Sequence, residues 1–458
     1  MRAFAKRLGI DRAVFYTLLA RAWSVASGLV TIVFVTAHLS PDLQGYYYTF
    51  YSLIALQIFA ELGLNFAIVQ FASHEMANLS WTPEGMVSGS EEAKRRLQSL
   101  MHFAFSWFGV AALLTLAVLL PLGMHYFGAT TATLARGVNA PWSLLVVASA
   151  INLIVNPFMA LLEGCGKVAK VAMLRLSQSI ASVLSVWVVL SRGGHLYSLA
   201  VSSSVTTLVG SAWLWFRYRH FFRDLLAHRT HVPGISWRRE LWPFQWRIAV
   251  SFTSGYLITQ LFNPLLLATH GPAAAGQLGM SLQIISAMNG AAMAWITTKA
   301  PTYGQLIATG QIRRLDALFT RGLVQSFAFL FLGVAAVWFT IHYLSMSTST
   351  YATRVLPLPL FSLLCLACLA NHIVVAEAVY LRAHKREPFM VLSLLNGLTT
   401  AGLGLLLVPR LGATGAVYAY ATTSLLIGLG GGTFVFVRHH REWAARAAEI
   451  VKPVERHG

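Results

Sequence analysis

Apolar segments of about twenty residues follow one another along the whole chain, separated by short polar stretches. A helix needs about twenty apolar residues to cross a hydrocarbon core of ~30 Å. No segment alternates apolar and polar residues with the period of two that a membrane barrel requires. Because an unpaired backbone cannot face lipid, the pattern predicts a bundle of transmembrane helices. We expect twelve spans, at about 14–38, 45–71, 100–124, 141–162, 168–190, 196–216, 248–269, 274–298, 322–344, 357–381, 388–408 and 413–437.

Composition supports an all-α polytopic membrane protein. Of 458 residues, 56% are hydrophobic and only 11% are charged, whereas a soluble protein is about 25% charged. The longest connection on the basic side, between Arg217 and Arg247, divides the spans into six and six. The predicted organisation is an N-terminal six-helix bundle (1–217), a basic cytoplasmic linker (218–247), a C-terminal six-helix bundle (248–437) and a basic cytoplasmic tail (438–458).

A weak internal repeat relates the two halves. "SVASGLVTI" around Gly28 and "SFTSGYLIT" around Gly255 each begin a six-helix half with an arginine just upstream. Both halves would have the same orientation, so the repeat would be parallel and related by an axis along the membrane normal.

The net charge of +18 is distributed unevenly between the two sides of the predicted bundle. When the loops are assigned alternately, 28 of the 34 Lys and Arg residues lie on one side, and four lie on the other. Arg21 and Arg175 remain inside spans. By the positive-inside rule the crowded side is cytoplasmic, and both termini lie there. The basic excess therefore predicts orientation in an inner membrane and attraction to anionic lipid, not binding to nucleic acid.

The sequence offers no sign of a cofactor, a metal site or an enzyme. Cys365 and Cys368 have a redox-like spacing, but they lie on one face of an apolar helix, where packing is the expected role. The predicted external connections are short, and no HExxH, DxD or nucleophile-elbow motif occurs. A membrane glycan polymerase or ligase, which needs an external active-site loop, is therefore the weakest of the functions considered.

Polar residues recur at helical spacing inside several spans, so that each set shares one helix face. Such residues often join helices to one another, but faces of this kind on at least six helices favour a hydrated cavity between two bundles. The candidate substrate-binding residues are Arg21, Ser24, Thr31, Gln57, Glu61, Asn65, Asn152, Asn156, Arg175, Gln178, Arg247 and Ser251.

Three charges are expected at one depth. Arg21 lies roughly 13 Å along its helix from Arg12, and Arg175 and Glu61 fall near the same level. One interpretation is an Arg21–Glu61 ion pair or an arginine that extends to the interface. The other is a cationic patch, partly offset by Glu61, that receives an anionic group, since the arginine fork suits phosphate.

Proton or ion coupling has three candidates: Glu61, His372 and Glu377. His372 is of a residue type that titrates near neutral pH, although a lone histidine in a helix is more often simply hydrogen-bonded. No ion-site motif is visible, so the coupling ion stays open.

Three stretches resemble bacterial polysaccharide-biosynthesis membrane proteins: "LSPDLQGYYYTFYSL" (39–53), "FAELGLNFAIVQFASHE" (59–75) and "ISWRRELWPFQWRIAVSFTSGY" (235–256). Those proteins are O-antigen flippase-type members of the multidrug/oligosaccharidyl-lipid/polysaccharide (MOP) exporter superfamily. The resemblance implies two bundles arranged as a V around a cavity that opens alternately to each side. It also implies that Arg21 resembles the first-helix arginines with which relatives meet a diphosphate.

The predicted function is the transfer of a lipid-linked, phosphate-bearing oligosaccharide across the inner membrane by alternating access. The expected partners are this anionic glycan, the bilayer, and glycan polymerase or glycosyltransferase machinery, and the expected state is a monomer. The alternative with the same fold is a small-molecule or drug exporter.

Overall fold

The structure is a computed structural model that describes residues 12–128, 132–227, 242–347, 351–384 and 388–451. The helices are α1 (Arg12–His38), α2 (Pro41–Ile54), α3 (Ile58–Glu61), α4 (Leu64–Glu75), α5 (Glu91–Gly128), α6 (Ala132–Leu162), α7 (Val168–Ser191), α8 (Tyr197–Ala227), α9 (Trp242–Thr259), α10 (Phe262–Thr297), α11 (Ala300–Ala308), α12 (Ile312–Met346), α13 (Leu358–Ala383), α14 (Met390–Leu411), α15 (Ala413–Thr423) and α16 (Gly432–Val451). Strands β1 (Leu79–Trp81) and β2 (Val87–Gly89) form an antiparallel hairpin.

Within the described residues, eight helical stretches are long and apolar enough to cross a membrane. They are Phe15–His38, Glu91–Phe127, Gly137–Ser191, Tyr197–Leu226, Ile312–Met346, Leu358–Ala383, Met390–Leu411 and Ala413–Trp443. A ninth is added if the bent pair Pro41–Glu61 and Leu64–Asn78 counts as one span. The chain is therefore a multi-pass helical membrane protein.

The number twelve is not confirmed. The stretch Gly137–Ser191 runs through two predicted spans, at 141–162 and 168–190. The predicted spans at 248–269 and 274–298 fall on α9 and α10, neither of which is among the eight. In α10 the helix is interrupted at Gly271, which has a φ of 81°, and amide side chains such as Gln283 and Asn289 lower the mean hydropathy.

The described chain divides by contact into two compact units. Unit 1 comprises Met1–Tyr256 with Gly271–Gly276, and unit 2 comprises Leu257–His270 with Gln277–Gly458. In unit 1, α1 packs on α7, α5 on α6, and α8 on both α6 and α7. In unit 2, α13 packs on α12 and α15 and on the π-helical segment Ser424–Gly431.

Large apolar side chains cover the outside of the helices as well as the core. On α5, Val110, Leu113, Leu114 and Val118 are all more than half exposed, and their spacing puts them on one face. A soluble monomer rarely exposes such a stripe. We infer that this exposed stripe contacts lipid, in agreement with the high mean hydropathy of the same helix.

The second predicted span is broken in the middle. Leu62 has a φ of 47° and Gly63 a φ of 70°, so α3 ends at Glu61 and α4 begins at Leu64, with a bend of 44° between the two halves. A break frees backbone carbonyls, which lipid cannot satisfy. Trp107 of α5 meets this need, since its Nε1–H donates to the carbonyl of Ala60 at 3.0 Å.

The turn between α6 and α7, residues 163–167, is held by the hairpin. Trp81 of β1 donates its Nε1–H to the carbonyl of Cys165 at 2.8 Å. The ammonium of Lys167 lies 4.0 Å from the centroid of the same indole ring, a cation–π contact. The hairpin thus both satisfies a freed carbonyl and fixes the direction in which α7 leaves the turn.

Gly164 in this turn lies directly against α4. A Cβ there would come within 2.6 Å of the Ala72 Cβ and 2.7 Å of the Val69 carbonyl oxygen. No real Cβ makes such contacts, so any larger residue would separate α4 from the turn.

We therefore expect Gly164→Ala to lower the free energy of unfolding by about 1–3 kcal/mol, the usual cost of overpacking a close contact. The measurement is the thermal unfolding midpoint of the purified protein in detergent. Gly109→Ala is the matched control, because a Cβ at this α5 glycine meets no atom within 4 Å. Equal midpoints for the two variants would contradict the close contact.

Candidate functional site

Glu61 occupies the break in the second span, as the last residue of α3. Its carboxylate accepts from Asn65 Nδ2 at 3.5 Å, and Asn65 lies on the first turn of α4. The two halves of the broken helix therefore present an acidic and an amide side chain to each other. This hydrogen bond is the side-chain contact that the structure describes for Glu61.

Arg175 forms an ion pair with Glu163 of the turn, with 2.7 Å between Nη2 and Oε2. The arginine side chain is 55% exposed and the glutamate 24%. Exposed pairs of this kind contribute about 0–1 kcal/mol, so the guanidinium can exchange its partner at little cost. Sequence reasoning did not include Glu163 among the site residues. The signal was present, because a helical side chain leans toward the N-terminus of its helix, here toward the turn.

Helix α1 is joined to α7 through Thr31. Trp187 of α7 donates its Nε1–H to Thr31 Oγ1 at 2.9 Å, and Thr31 in turn donates to the carbonyl of Ser27 at 2.7 Å. Thr31 is thus occupied by helix packing. About two turns before Thr31, Ser24 is exposed, and Arg21, nearly three turns before it, is partly exposed.

Gln178 is also occupied by helix packing. It is 5% exposed, and its Nε2 donates to the carbonyl of Thr206 in α8 at 2.8 Å. Its place against Gly210, where a Cβ would lie 2.7 Å from the same nitrogen, explains why α7 and α8 come so close. For Thr31 and Gln178 the structure therefore shows the helix-joining role that the sequence left open beside substrate binding.

Four other predicted site residues in unit 1 hold fully buried polar atoms without a hydrogen-bond partner among the described residues. These atoms are Gln57 Oε1, Asn65 Oδ1, Asn152 Oδ1 and Ser251 Oγ. Buried polar atoms in folded proteins are nearly always bonded to protein, water or ligand. Acceptors and a hydroxyl in this state are what a sugar, with its many hydroxyl groups, would need.

Gln57 lines a small cavity of about 370 Å³ with residues of α5. Its other walls are apolar apart from Thr115, and include Leu56, Phe59 and Leu114.

Asn156 lies one turn beyond Asn152 on α6 and is half-buried. Arg247 lies within α9, and its side chain is outside the part of the chain that the structure describes.

His372 lies at the centre of unit 2 and is fully buried. Its Nδ1 is 2.8 Å from Asn289 Oδ1 of α10, and its Nε2 is 3.0 Å from Ser326 Oγ of α12. Both ring nitrogens are thus engaged, and the imidazole joins three helices.

Glu377 lies on the same helix and is 4% exposed. Its Oε1 accepts from Thr433 Oγ1 at 3.1 Å, while Oε2 is buried and has no partner in the described chain. No described basic side chain lies within ion-pair distance. Burying an uncompensated carboxylate is costly, so Glu377 is suited to take up a proton or a cation. Nothing in the sequence could show that Glu377, rather than His372, would keep a polar atom without a partner among the described residues.

Several solved structures share this fold. An inward-facing multidrug resistance MATE family transporter of the MOP superfamily has a TM-score of 0.63 at 13% identity, over 96% of this chain and 99% of that chain. A MOP superfamily transporter from Pyrococcus furiosus, described as having a binding pocket of reverse polarity, has a TM-score of 0.60 at 14% identity, over 93% and 94%. The lipid II flippase MurJ, in an inward closed conformation, also has 0.60 at 14% identity, over 93% and 87%.

At such low identity these likenesses establish the fold, which is that of MOP superfamily transporters and flippases. Among curated proteins, none matches the sequence. A family model described as "Polysaccharide biosynthesis protein" matches residues 10–306, which is more than half of the chain. The resemblance read from the sequence is confirmed: the chain belongs to this family of polysaccharide biosynthesis membrane proteins, with the fold of the MOP superfamily.

Proposed function

We propose that the protein transfers a lipid-linked, phosphate-bearing oligosaccharide across the bacterial inner membrane by alternating access. The observation that carries the proposal is Arg175, a guanidinium inside a membrane helix that is more than half exposed and that, among the described residues, forms an ion pair with Glu163. An ionised side chain inside a membrane helix costs free energy, and one that is retained usually marks a functional site. A phosphate suits this guanidinium, because its oxygens can accept two parallel hydrogen bonds from the arginine.

The proposed binding reaction is an exchange of anions. In the empty state Glu163 neutralises Arg175, and when the lipid-linked glycan arrives its phosphate replaces the carboxylate. Because the carboxylate–arginine pair is partly exposed at the surface of the protein, an incoming phosphate can reach the guanidinium without separating the helices. Alternating access further requires that the phosphate bind the inward-facing and outward-facing conformations with different affinity. Arg21 and Arg247 are proposed to assist on the phosphate side.

The sugar part is proposed to bind the amides and hydroxyls of the same unit. Asn65, Asn152 and Ser251 each hold a buried atom without a partner, and Gln57 adds a fourth. A site built to bond a hydroxyl discriminates strongly against a ligand that lacks it, since its own polar atoms would then remain unpaired. An exporter of apolar organic cations, the alternative with the same fold, gains nothing from these atoms or from Arg175.

We further propose the topology in which this transfer takes place. Twelve spans in two six-helix bundles, with both termini in the cytoplasm, follow from the distribution of Lys and Arg. The direction of transfer is then from the cytoplasmic to the external leaflet. The protein is proposed to act as a monomer, with glycan polymerase or glycosyltransferase machinery as its partners.

Coupling to an ion gradient is proposed to use Glu377. It has an unpaired buried oxygen and one hydroxyl neighbour, Thr433, whereas His372 is bonded on both nitrogens and is assigned to packing. Glu61 has only the long contact with Asn65 and remains the second candidate. In this proposal a proton or cation neutralises Glu377 in one state and leaves it in the other.

The anion exchange predicts opposite effects for the two partners of one ion pair. Arg175→Gln should lower transfer by about 10- to 100-fold, since a hydrogen bond to a charged group is worth about 1.5–3 kcal/mol. Glu163→Gln should leave transfer intact or tighten substrate binding, because the competing carboxylate is gone. The measurement is the rate at which a lipid-linked oligosaccharide becomes accessible to an externally added lectin in vesicles containing the purified protein.

If the pair is only structural, the two variants will lose activity together, and the double variant will recover it. That pattern would overturn the phosphate role of Arg175. Arg192→Gln is the matched control, because this exposed arginine follows the other end of α7 and should tolerate the change.

Glu377→Gln is expected to keep substrate binding and to abolish the dependence of transfer on an imposed pH or sodium gradient. The amide has the shape of the acid, but it does not exchange a proton and carries no negative charge with which to bind a cation. Glu442→Gln, in an exposed pair with Arg438, is the control and should behave as the native protein. A gradient dependence that survives in Glu377→Gln would refute the coupling role.

A further inference from the structure

A groove on unit 1 combines apolar walls with two arginines. It lies between α6 and α8 and has a volume of about 670 Å³, within the ~300–1,000 Å³ that is usual for small-molecule sites. Its apolar walls come from Ile154, Val155 and Phe158 on α6 and from Leu214, Trp215, Phe222 and Leu226 on α8. The polar residues of the lining are Ser211, Arg219 and Arg223.

The two arginines lie where the bilayer surface is expected. From Tyr197, the first residue of α8, to Arg219 the helix advances roughly 33 Å, slightly more than a hydrocarbon core of ~30 Å. Trp215, one turn earlier, is 54% exposed, and tryptophan is enriched at the membrane–water interface. The part of the groove lined by Leu214 therefore lies at acyl-chain depth, whereas the part lined by Arg219 and Arg223 lies at headgroup depth.

The same two arginines are not used in ion pairs within the described chain. The guanidinium of Arg223 lies 5.4 Å from the centroid of the Trp215 ring, and Arg219 Nε donates to His220 Nε2 at 3.2 Å. The neighbouring carboxylate, Asp224, is held by Lys94 at 3.1 Å. Two exposed positive charges thus border an apolar groove without a carboxylate of the described residues to neutralise them.

From this juxtaposition we propose that the groove is a binding site for one anionic glycerophospholipid of the bilayer. An acyl chain lies along the wall formed by α6 and α8, and the phosphate is held by Arg219 and Arg223. Charge complementarity selects an anionic over a zwitterionic headgroup, because a zwitterionic lipid would bring its own cation to a site that already holds two. The positive-inside rule assigns this end of α8, and so the bound lipid, to the cytoplasmic leaflet.

This site is separate from the proposed phosphate exchange at Arg175, because it involves different side chains on a different pair of helices. The proposed role of the bound lipid is to fix the position of two helices in the bilayer. A lipid bound along α6 and α8 would hold these two helices at a fixed depth in the bilayer, and its binding would not depend on the glycan. Loss of the site would therefore leave the anion exchange at Arg175 chemically intact.

The test uses the fluorescence of Trp215 in the purified full-length protein, reconstituted in phosphatidylcholine vesicles. Phosphatidylglycerol with brominated acyl chains is added at increasing mole fraction, and the contribution of Trp215 is taken as the difference between the native protein and Trp215→Phe. We expect this contribution to be quenched and to saturate at a low mole fraction of phosphatidylglycerol. Brominated phosphatidylcholine should quench only in proportion to its abundance.

Arg219→Gln/Arg223→Gln should weaken the apparent affinity for phosphatidylglycerol by about 30-fold, since each arginine near an anionic headgroup contributes about fivefold. Arg217→Gln is the matched control: it is an exposed arginine at the same end of α8 that does not line the groove, and it should change little. Size-exclusion profiles would verify that the variants are folded.

Three results would overturn the proposal. The first is equal quenching by the two brominated lipids, and the second is an equal loss in Arg217→Gln and in the double variant. The third is displacement of phosphatidylglycerol by a polyisoprenyl phosphate at a lower mole fraction, which would assign the groove to the lipid carrier of the cargo instead.

Discussion

Every feature of this protein follows from one constraint: polar groups in lipid must find partners inside the protein. Helices satisfy their own backbones, and at two places where the chain departs from helix a side chain replaces a lost bond. Trp107 bonds the carbonyl of Ala60 at the break in the second span, and Trp81 bonds the carbonyl of Cys165 at the turn after α6. Indole is suited to both places, because it combines one donor with a large apolar surface.

The same constraint sorts the polar side chains into two groups. Thr31, Gln178 and His372 are bonded across helices, and their polarity contributes to packing. Asn152 and Ser251 keep buried polar atoms without a partner in the described chain. A membrane protein retains atoms of the second group at a cost in stability, and the proposed reason is the hydroxyl groups of a glycan.

The sequence predicted the membrane class and the superfamily because both depend on long-range patterns. The predicted segment at 322–344 falls within α12, and the segment at 388–408 agrees with α14 to within three residues at each end, since apolar length alone determines them. The break at Leu62–Gly63 was not foreseen. One glycine in an apolar segment is compatible with a continuous helix, and the left-handed conformation of Leu62 has no sequence signature.

Contacts between side chains were harder to predict than helices. The sequence predicted that Arg175 and Glu61 lie at a similar depth, but depth does not say which helix faces which. The observed partner, Glu163, depends on the fold of the turn at 163–167 and on the direction in which Arg175 leans. Likewise, the carboxyl of Glu377 and the imidazole of His372 are five residues apart, and only the packing of α10, α12 and α16 around α13 gives them different surroundings.

The central claim is that this protein moves a lipid-linked glycan between the leaflets, and the sidedness of that glycan in cells tests it most directly. Cells would be depleted of the protein and of any redundant flippase, and the lipid-linked oligosaccharide would be labelled from outside in spheroplasts. We predict that the glycan accumulates in the cytoplasmic leaflet, inaccessible to the label, and that the native protein restores its exposure. Exposure of the glycan at the normal rate in depleted cells would contradict the claim.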